Sequence, residues 1–257
     1  MFQLHKWYFD CVTDAGDVAI LYRAGVRYGA LRLHYGASLY KPAFGEPFHR
    51  ATLRPGNQAV TLGGVVEWRC PRLDLSGTWS GRSPGYERTL LDSREGLIHW
   101  HCVCPSGDAK VHIGDYQLHG SGYVEHLTLT VKPWRLPFDE LRWGRWVGHV
   151  DSLLWIEWRG PGSQTWVWFN DVEQPDCRVS DDKVLLPDKG IVLELHQAAV
   201  LRAGALTDTA LRPIRAVTGL LPQWRSAHET KWLARGTISG PDQSDTGWAI
   251  HEVVQWP

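Results

Sequence analysis

The chain has 257 residues, enough to bury a full core as one large all-β domain or as two smaller ones. Its 27 Lys and Arg balance 28 Asp and Glu, which excludes the net field that draws nucleic acid, an anionic membrane surface or a strongly charged substrate. Fifteen Trp stand against one Met, a bias suited to β-sheet cores and to the walls of cavities for apolar ligands. The five cysteines, Cys11, Cys70, Cys102, Cys104 and Cys177, form no regular framework. No charged leader with an apolar core opens the chain, and no run of about 18 apolar residues occurs. The expectation is a soluble, cytoplasmic, reduced protein with no transmembrane segment.

In chain order, Trp7-Tyr8-Phe9-Asp10 opens a strand. A turn at 14–17 leads to the alternating runs 18–23 and 30–36, the grammar of an antiparallel meander. Residues 41–58, rich in Pro and Gly, read as a long loop. From 59 to 132 short strands recur near 60–68, 72–79, 86–91, 96–104, 109–119 and 123–132. Turns are predicted at Pro71, Ser76-Gly77, Pro84-Gly85, Pro105-Ser106-Gly107 and Gly120-Ser121-Gly122. No βαβ alternation occurs, so a doubly wound nucleotide-binding fold is not expected. Residues 133–150 read as a bridge with a short helix near Asp139. Strands resume at 151–159, 164–170, 176–180 and 190–202, a short helix is predicted within 207–224, and strands at 230–239 and 247–256 close the chain. The halves 1–132 and 151–257 suggest a duplication, with Trp7-Tyr8-Phe9-Asp10 loosely like Trp166-Val167-Trp168-Phe169-Asn170.

The chemistry concentrates in two stretches, Gly96–Pro105 (GLIHWHCVCP) and Gly120–His126 (GSGYVEH). As strands they set Tyr123 and Glu125 on one face and His99 and His101 on one face of their own. Protonating an alkene calls for a carboxylic acid in a dry, apolar pocket. Glu125 is the candidate acid and Tyr123 its orienting phenol. His99 or His101 is the candidate acceptor of a proton from water, and Trp100 and Trp134 are the candidate faces for a cation.

Taken together, WYFD at 7–10, GSGYVEH at 120–126 followed by Trp134 and Trp143-Gly144, and KWLARGTISG…GWAIHEVVQWP at 231–257 resemble the carotenoid 1,2-hydratase (hydroxyneurosporene synthase) and AttH-like family. The resemblance implies an all-β fold of two lipocalin-like (calycin) β-barrels packed together. It also implies cofactor-independent chemistry on an apolar isoprenoid or polyene-like molecule, by a hydro-lyase or cyclase that protonates a C=C bond. The family's Gly-Tyr-x-Asp falls on Gly122-Tyr123-Val124-Glu125, with Glu for Asp, and its His-x-Trp on His99-x-His101, with His for Trp. These departures, and a chain shorter than expected for docking a long carotenoid, imply an altered substrate.

Two other readings stay open. A Trp-lined lipocalin-like barrel can bind an apolar ligand without catalysis. Alternatively, His99 and His101 can open a metal site with Glu125 as third ligand. The sequence holds no Gly-x-Ser-x-Gly elbow, Walker loop or dinucleotide fingerprint.

Overall fold

The computed structural model describes residues 1–206, 227–241 and 243–256; the helix predicted within 207–224 lies outside the described residues. The chain forms two compact units, Met1–Arg135 and Leu136–Pro257. Each is built on one antiparallel sheet in which the first strand pairs with the last.

The first unit runs β1 (Phe2–Val12), β2 (Val18–Tyr28), β3 (Leu31–Lys41), β4 (Phe48–Thr52), β5 (Val60–Leu62), β6 (Val65–Cys70), β7 (Leu75–Gly81), β8 (Tyr86–Ser93), β9 (Gly96–Ile113) and β10 (Tyr116–Leu129). The order in the sheet is β4-β3-β2-β1-β10-β9-β7-β6-β5, with β8 on the first half of β9. The second unit runs β11 (Glu140–Gly148), β12 (Ser152–Arg159), β13 (Gln164–Phe169), β14 (Val172–Gln174), β15 (Arg178–Val179), β16 (Lys183–Leu186), β17 (Ile191–Ala205), β18 (His228–Gly240) and β19 (Gln243–Gln255). Its order, β14-β13-β12-β11-β19-β18-β17-β16-β15, repeats that plan.

Both sheets curl. Phe9 on β1 and Trp68 on β6 are four strand spacings apart along the sheet, about 19 Å if it were flat. Their rings nevertheless stack with centroids 5.3 Å apart, and residues from both flanks, Leu21 and Tyr40 on one side and Val66 and Trp68 on the other, share one buried cluster. In the second unit Arg159 Nη2 on β12 donates to Val179 O on β15 at 2.9 Å, six strand spacings round the sheet. The architecture is thus all-β with two lipocalin-like curled sheets. Among the described residues no helix is long and apolar enough to cross a membrane.

The high Trp content has a local explanation. Indoles on the concave faces lie over glycines, because only a missing β-carbon leaves room for so wide a ring between strands. A β-carbon on Gly77 would collide with the Trp79 ring, and one on Gly144 with the Trp155 ring. Trp79 Nε1 then donates to Asp10 O at 2.7 Å, so its one polar atom is satisfied inside the core.

Several expected features differ. Pro105-Ser106-Gly107 and Gly120-Ser121-Gly122 are not turns; they lie inside the continuous strands β9 and β10. Their glycines serve close packing: a β-carbon on Gly122 would sit 2.5 Å from the Ala109 Cβ and 2.7 Å from Trp79 Cδ1. Opposite them β9 bulges, with register shifts between Gly122 and Val124 and between Val124 and Glu125. The expected bridge at 133–150 holds a 3-10 turn, Pro133–Arg135, and then β11, a central strand of the second sheet, where a helix was expected near Asp139. The 41–58 loop contains the edge strand β4. Finally, Trp7–Asp10 lie on β1 and Trp166–Phe169 on β13, which hold different places in the repeated plan; the counterpart of β1 is β11.

Overpacking at the Gly122 seat is expected to cost about 1–3 kcal/mol. Urea unfolding of Gly122→Ala should therefore give a lower midpoint at unchanged slope, and a wild-type midpoint would contradict the packing described.

Candidate functional site

The β1–β10 ladder sets Tyr8 opposite Glu125 and Asp10 opposite Tyr123. Tyr22 on β2 lies opposite Tyr8, Cys102 on β9 opposite Glu125, and Tyr86 on β8 opposite Cys102. Alternation then places Tyr8, Tyr22, Tyr86, Trp100, Cys102, Tyr123 and Glu125 on one face of the sheet. It is the face opposite the cluster of Phe9, Trp79 and Val124.

Glu125 is buried there among aromatic rings. Trp100 Nε1 donates to its Oε2 at 2.7 Å and Tyr123 Oη donates to the same oxygen at 2.9 Å. Tyr8 meets both Tyr22 and Tyr123 edge-on, with centroids 5.4 and 6.0 Å apart, and Tyr86 meets Trp100 likewise at 5.7 Å. Burial first, then the nearby Cys102 and Glu125, push the Tyr123 phenol well above its ordinary range, so Tyr123 stays a donor. A carboxyl group gripped twice on one oxygen, inside a wall of rings, has a fixed orientation and a dry setting.

The structure thus brings Glu125, Tyr123 and Trp100 together. It places His99 and His101 on the other face. His101 lies opposite His126 and His99 opposite Thr128, and both belong with Trp7 and His5 on the concave side. His126 stacks on Trp7 and on His5, with centroids 4.6 and 5.7 Å apart, and His99 Nε2 is 3.6 Å from Glu87 Oε2. The role expected for this pair, taking a proton from water beside Glu125, is therefore not supported, because the sheet lies between them. The metal reading that joins His99 and His101 to Glu125 fails for the same reason. Among the described residues no group of three or more His, Cys, Asp or Glu side chains is arranged to hold a metal ion.

Trp134 is also elsewhere. It packs edge-on against Tyr28 and carries Lys132 over its ring. Tyr28 pairs with Phe2, six positions along β1 from Tyr8, or about 20 Å at the rise of a strand. At position 101, where the resemblance calls for Trp, the chain has a His that faces away; the indole that meets the acid is Trp100, one residue earlier. The residues not singled out from sequence are Tyr8, Tyr22, Tyr86 and Cys102. Tyr8 lay within the WYFD stretch, but only the β1–β10 ladder, linking residues more than a hundred positions apart, shows which of its side chains meets Glu125.

Burial, then the neighbouring His5 and His101, lower the His126 pKa from 6.5 to about 4. In that window the unfolded chain binds the proton and the folded chain does not, so this group's contribution to stability is full above pH 6.5 and is lost as pH falls through about 4. An NMR titration of the histidine ring protons should show His126 titrating near pH 4. A midpoint near 6.5 would contradict the buried, stacked geometry.

No family model matches the sequence, and no curated protein matches it. Solved structures do resemble it. CghA covers 98% of this chain with 88% of its own at 13% identity and a TM-score of 0.56, and CghA with Sch210972 gives a TM-score of 0.53. A putative AttH from Nitrosomonas europaea matches over 97% of this chain and 92% of its own, at 10% identity and a TM-score of 0.53. Kievitone hydratase from Nectria haematococca matches over 98% and 88%, at 10% identity and a TM-score of 0.52. At such low identity the likeness speaks to architecture, and it does so along nearly the whole chain: the protein has the two-unit lipocalin-like fold of CghA, the AttH-like protein and kievitone hydratase.

Proposed function

We propose that the chain is a cofactor-independent acid catalyst of hydration, cyclisation or isomerisation on an apolar isoprenoid or polyene-like molecule, with Glu125 as the acid. The observation that carries this reading is the double grip of Trp100 and Tyr123 on Glu125 Oε2 within a buried aromatic wall. The fold shared with an enzyme named as a hydratase supports it further. The cysteines are thiols, four of the five buried, which accords with a reducing compartment.

In this reading the Glu125 carboxyl O–H adds its proton to one carbon of a C=C bond, and the bonding pair moves to make the new C–H bond. The other carbon becomes a cation, which the faces of Trp100 and the surrounding tyrosines stabilise. As the proton leaves, the Trp100 N–H and Tyr123 O–H already point at the developing carboxylate, so no donor has to reorient. In hydration, water bonds to the cation and returns a proton to the Glu125 carboxylate. With His99 and His101 on the far face, the same carboxylate is the base. In cyclisation or isomerisation, a second double bond or loss of a neighbouring proton quenches the cation.

The test is turnover of terminal isoprenoid alkenes in D2O. Wild type should place one deuterium on the protonated carbon of its substrate. Glu125→Gln should bind that alkene as wild type does and incorporate none. Loss of one donor in Trp100→Phe should lower kcat by about 100-fold with little change in KM. Deuterium incorporation that survives Glu125→Gln would contradict the acid assignment. Binding without turnover by both proteins would make the chain a carrier of apolar ligands.

A further inference from the structure

The concave face of the second unit has an apolar floor, with Trp146, Leu153, Val167 and Ala249 in one buried cluster. Beyond the floor it opens into a cavity of about 430 Å3, inside the range of about 300–1,000 Å3 usual for small-molecule sites. Strand register explains the walls. Arg142 and Thr230 lie opposite Val253, and Gly144 and Trp232 lie opposite His251. These side chains therefore project to the same side as Trp146 and Ala249. Gly144 is empty where the ring of Trp155 needs space, and Trp155 and Trp232 both line the cavity.

His251 is the feature that the fold itself does not use. It lines the cavity yet is only 8% exposed, and it stacks on Trp232 with centroids 4.9 Å apart and planes 17° from parallel. Its Nε2 is buried and has no hydrogen-bond partner among the described residues, a state that proteins seldom keep without a purpose. Burial, then the charge of Lys231, holds its pKa down to about 4, so the ring is neutral and offers one donor and one acceptor. A half-turn of the ring keeps the stack and exchanges Nε2 with Cε1 and Nδ1 with Cδ2.

The charges in and beside the lining are already matched, Glu252 by Lys231 among them. Arg142 Nε donates to Glu140 at 2.6 Å and its Nη1 pairs with Asp181, while Arg159 Nε donates to Glu157 at 2.7 Å. No unmatched cation in this group invites an anion. The indoles of Trp155 and Trp232, with Val179 and Val253 in the lining, favour a flat apolar body, and His251 asks for one polar group on it.

We infer that this cavity is a second small-molecule site, built for a neutral, flat, aromatic or conjugated molecule carrying a hydroxyl or carbonyl that hydrogen-bonds His251. It lies within the second unit and is independent of the proposal for Glu125.

The test uses the whole chain and two fluorescent probes, 2-naphthol and naphthalene, which differ by one hydroxyl. Wild type should bind 2-naphthol about fivefold more tightly than naphthalene, the worth of one net hydrogen bond. His251→Leu should abolish that preference and keep naphthalene binding. Thr230→Phe, which fills the cavity from its wall, should weaken both probes by about tenfold or more, as lost burial requires. Ser180→Trp, at an exposed rim position, should do the same without touching the core, which keeps the test readable if Thr230→Phe does not fold. Three results would each overturn the assignment: no binding of 2-naphthol to wild type, equal binding of the two probes, or wild-type affinity in Ser180→Trp shown to be folded by circular dichroism.

Discussion

The pairing of the first strand of each unit with its last is the constraint on which everything else depends. In the first unit, β1 meets β10 over nine register pairs from Leu4–Leu129 to Val12–Ser121 without a break. That ladder joins residues separated by more than a hundred positions, so it is entropically late to form. Only burial can offset the cost, and the seating of broad indoles over strand glycines supplies it on the concave side. Once the ladder is set, Tyr8 must face Glu125 and Trp7 must face His126, and the two sets of ring contacts follow on opposite faces.

Much of this was legible in the sequence, and the limits have physical causes. Alternation correctly paired Tyr123 with Glu125 and His99 with His101, because side-chain parity is local. Whether the two pairs share a face depends on the register between β9 and β10, and that register shifts twice beside Tyr123 and Val124. No local pattern reports such a shift. Pro105-Ser106-Gly107 and Gly120-Ser121-Gly122 were read as turns because glycine serves equally as a turn former and as a seat for a bulky neighbour. The neighbour of Gly122 is Trp79, far away in sequence. Trp134 is a candidate cation-stabilising face in the sequence, yet its environment is set by Tyr28 and Lys132, near the other end of β1 and β2.

The two units show how one plan takes different chemistry. Past its apolar core, the concave face of the first unit carries His5, Trp7, His101 and His126. The second carries matched ion pairs around Arg142 and Arg159, with the neutral His251 against Trp232. Glu125 belongs to neither concave face; it sits on the reverse of the first sheet, where tyrosines replace aliphatic residues. A shared fold therefore says little about chemistry until the face and the partners of each side chain are known.

The central claim is that Glu125, held by Trp100 and Tyr123, gives a proton to an apolar alkene. Native mass spectrometry of wild type and Glu125→Gln, produced in the same isoprenoid-rich host, tests it most directly, because each protein reports the molecule it retains. The account predicts that Glu125→Gln holds an alkene and that wild type holds its hydrated or rearranged product, differing by one water or by fragmentation pattern. The same unaltered ligand on both proteins would contradict it.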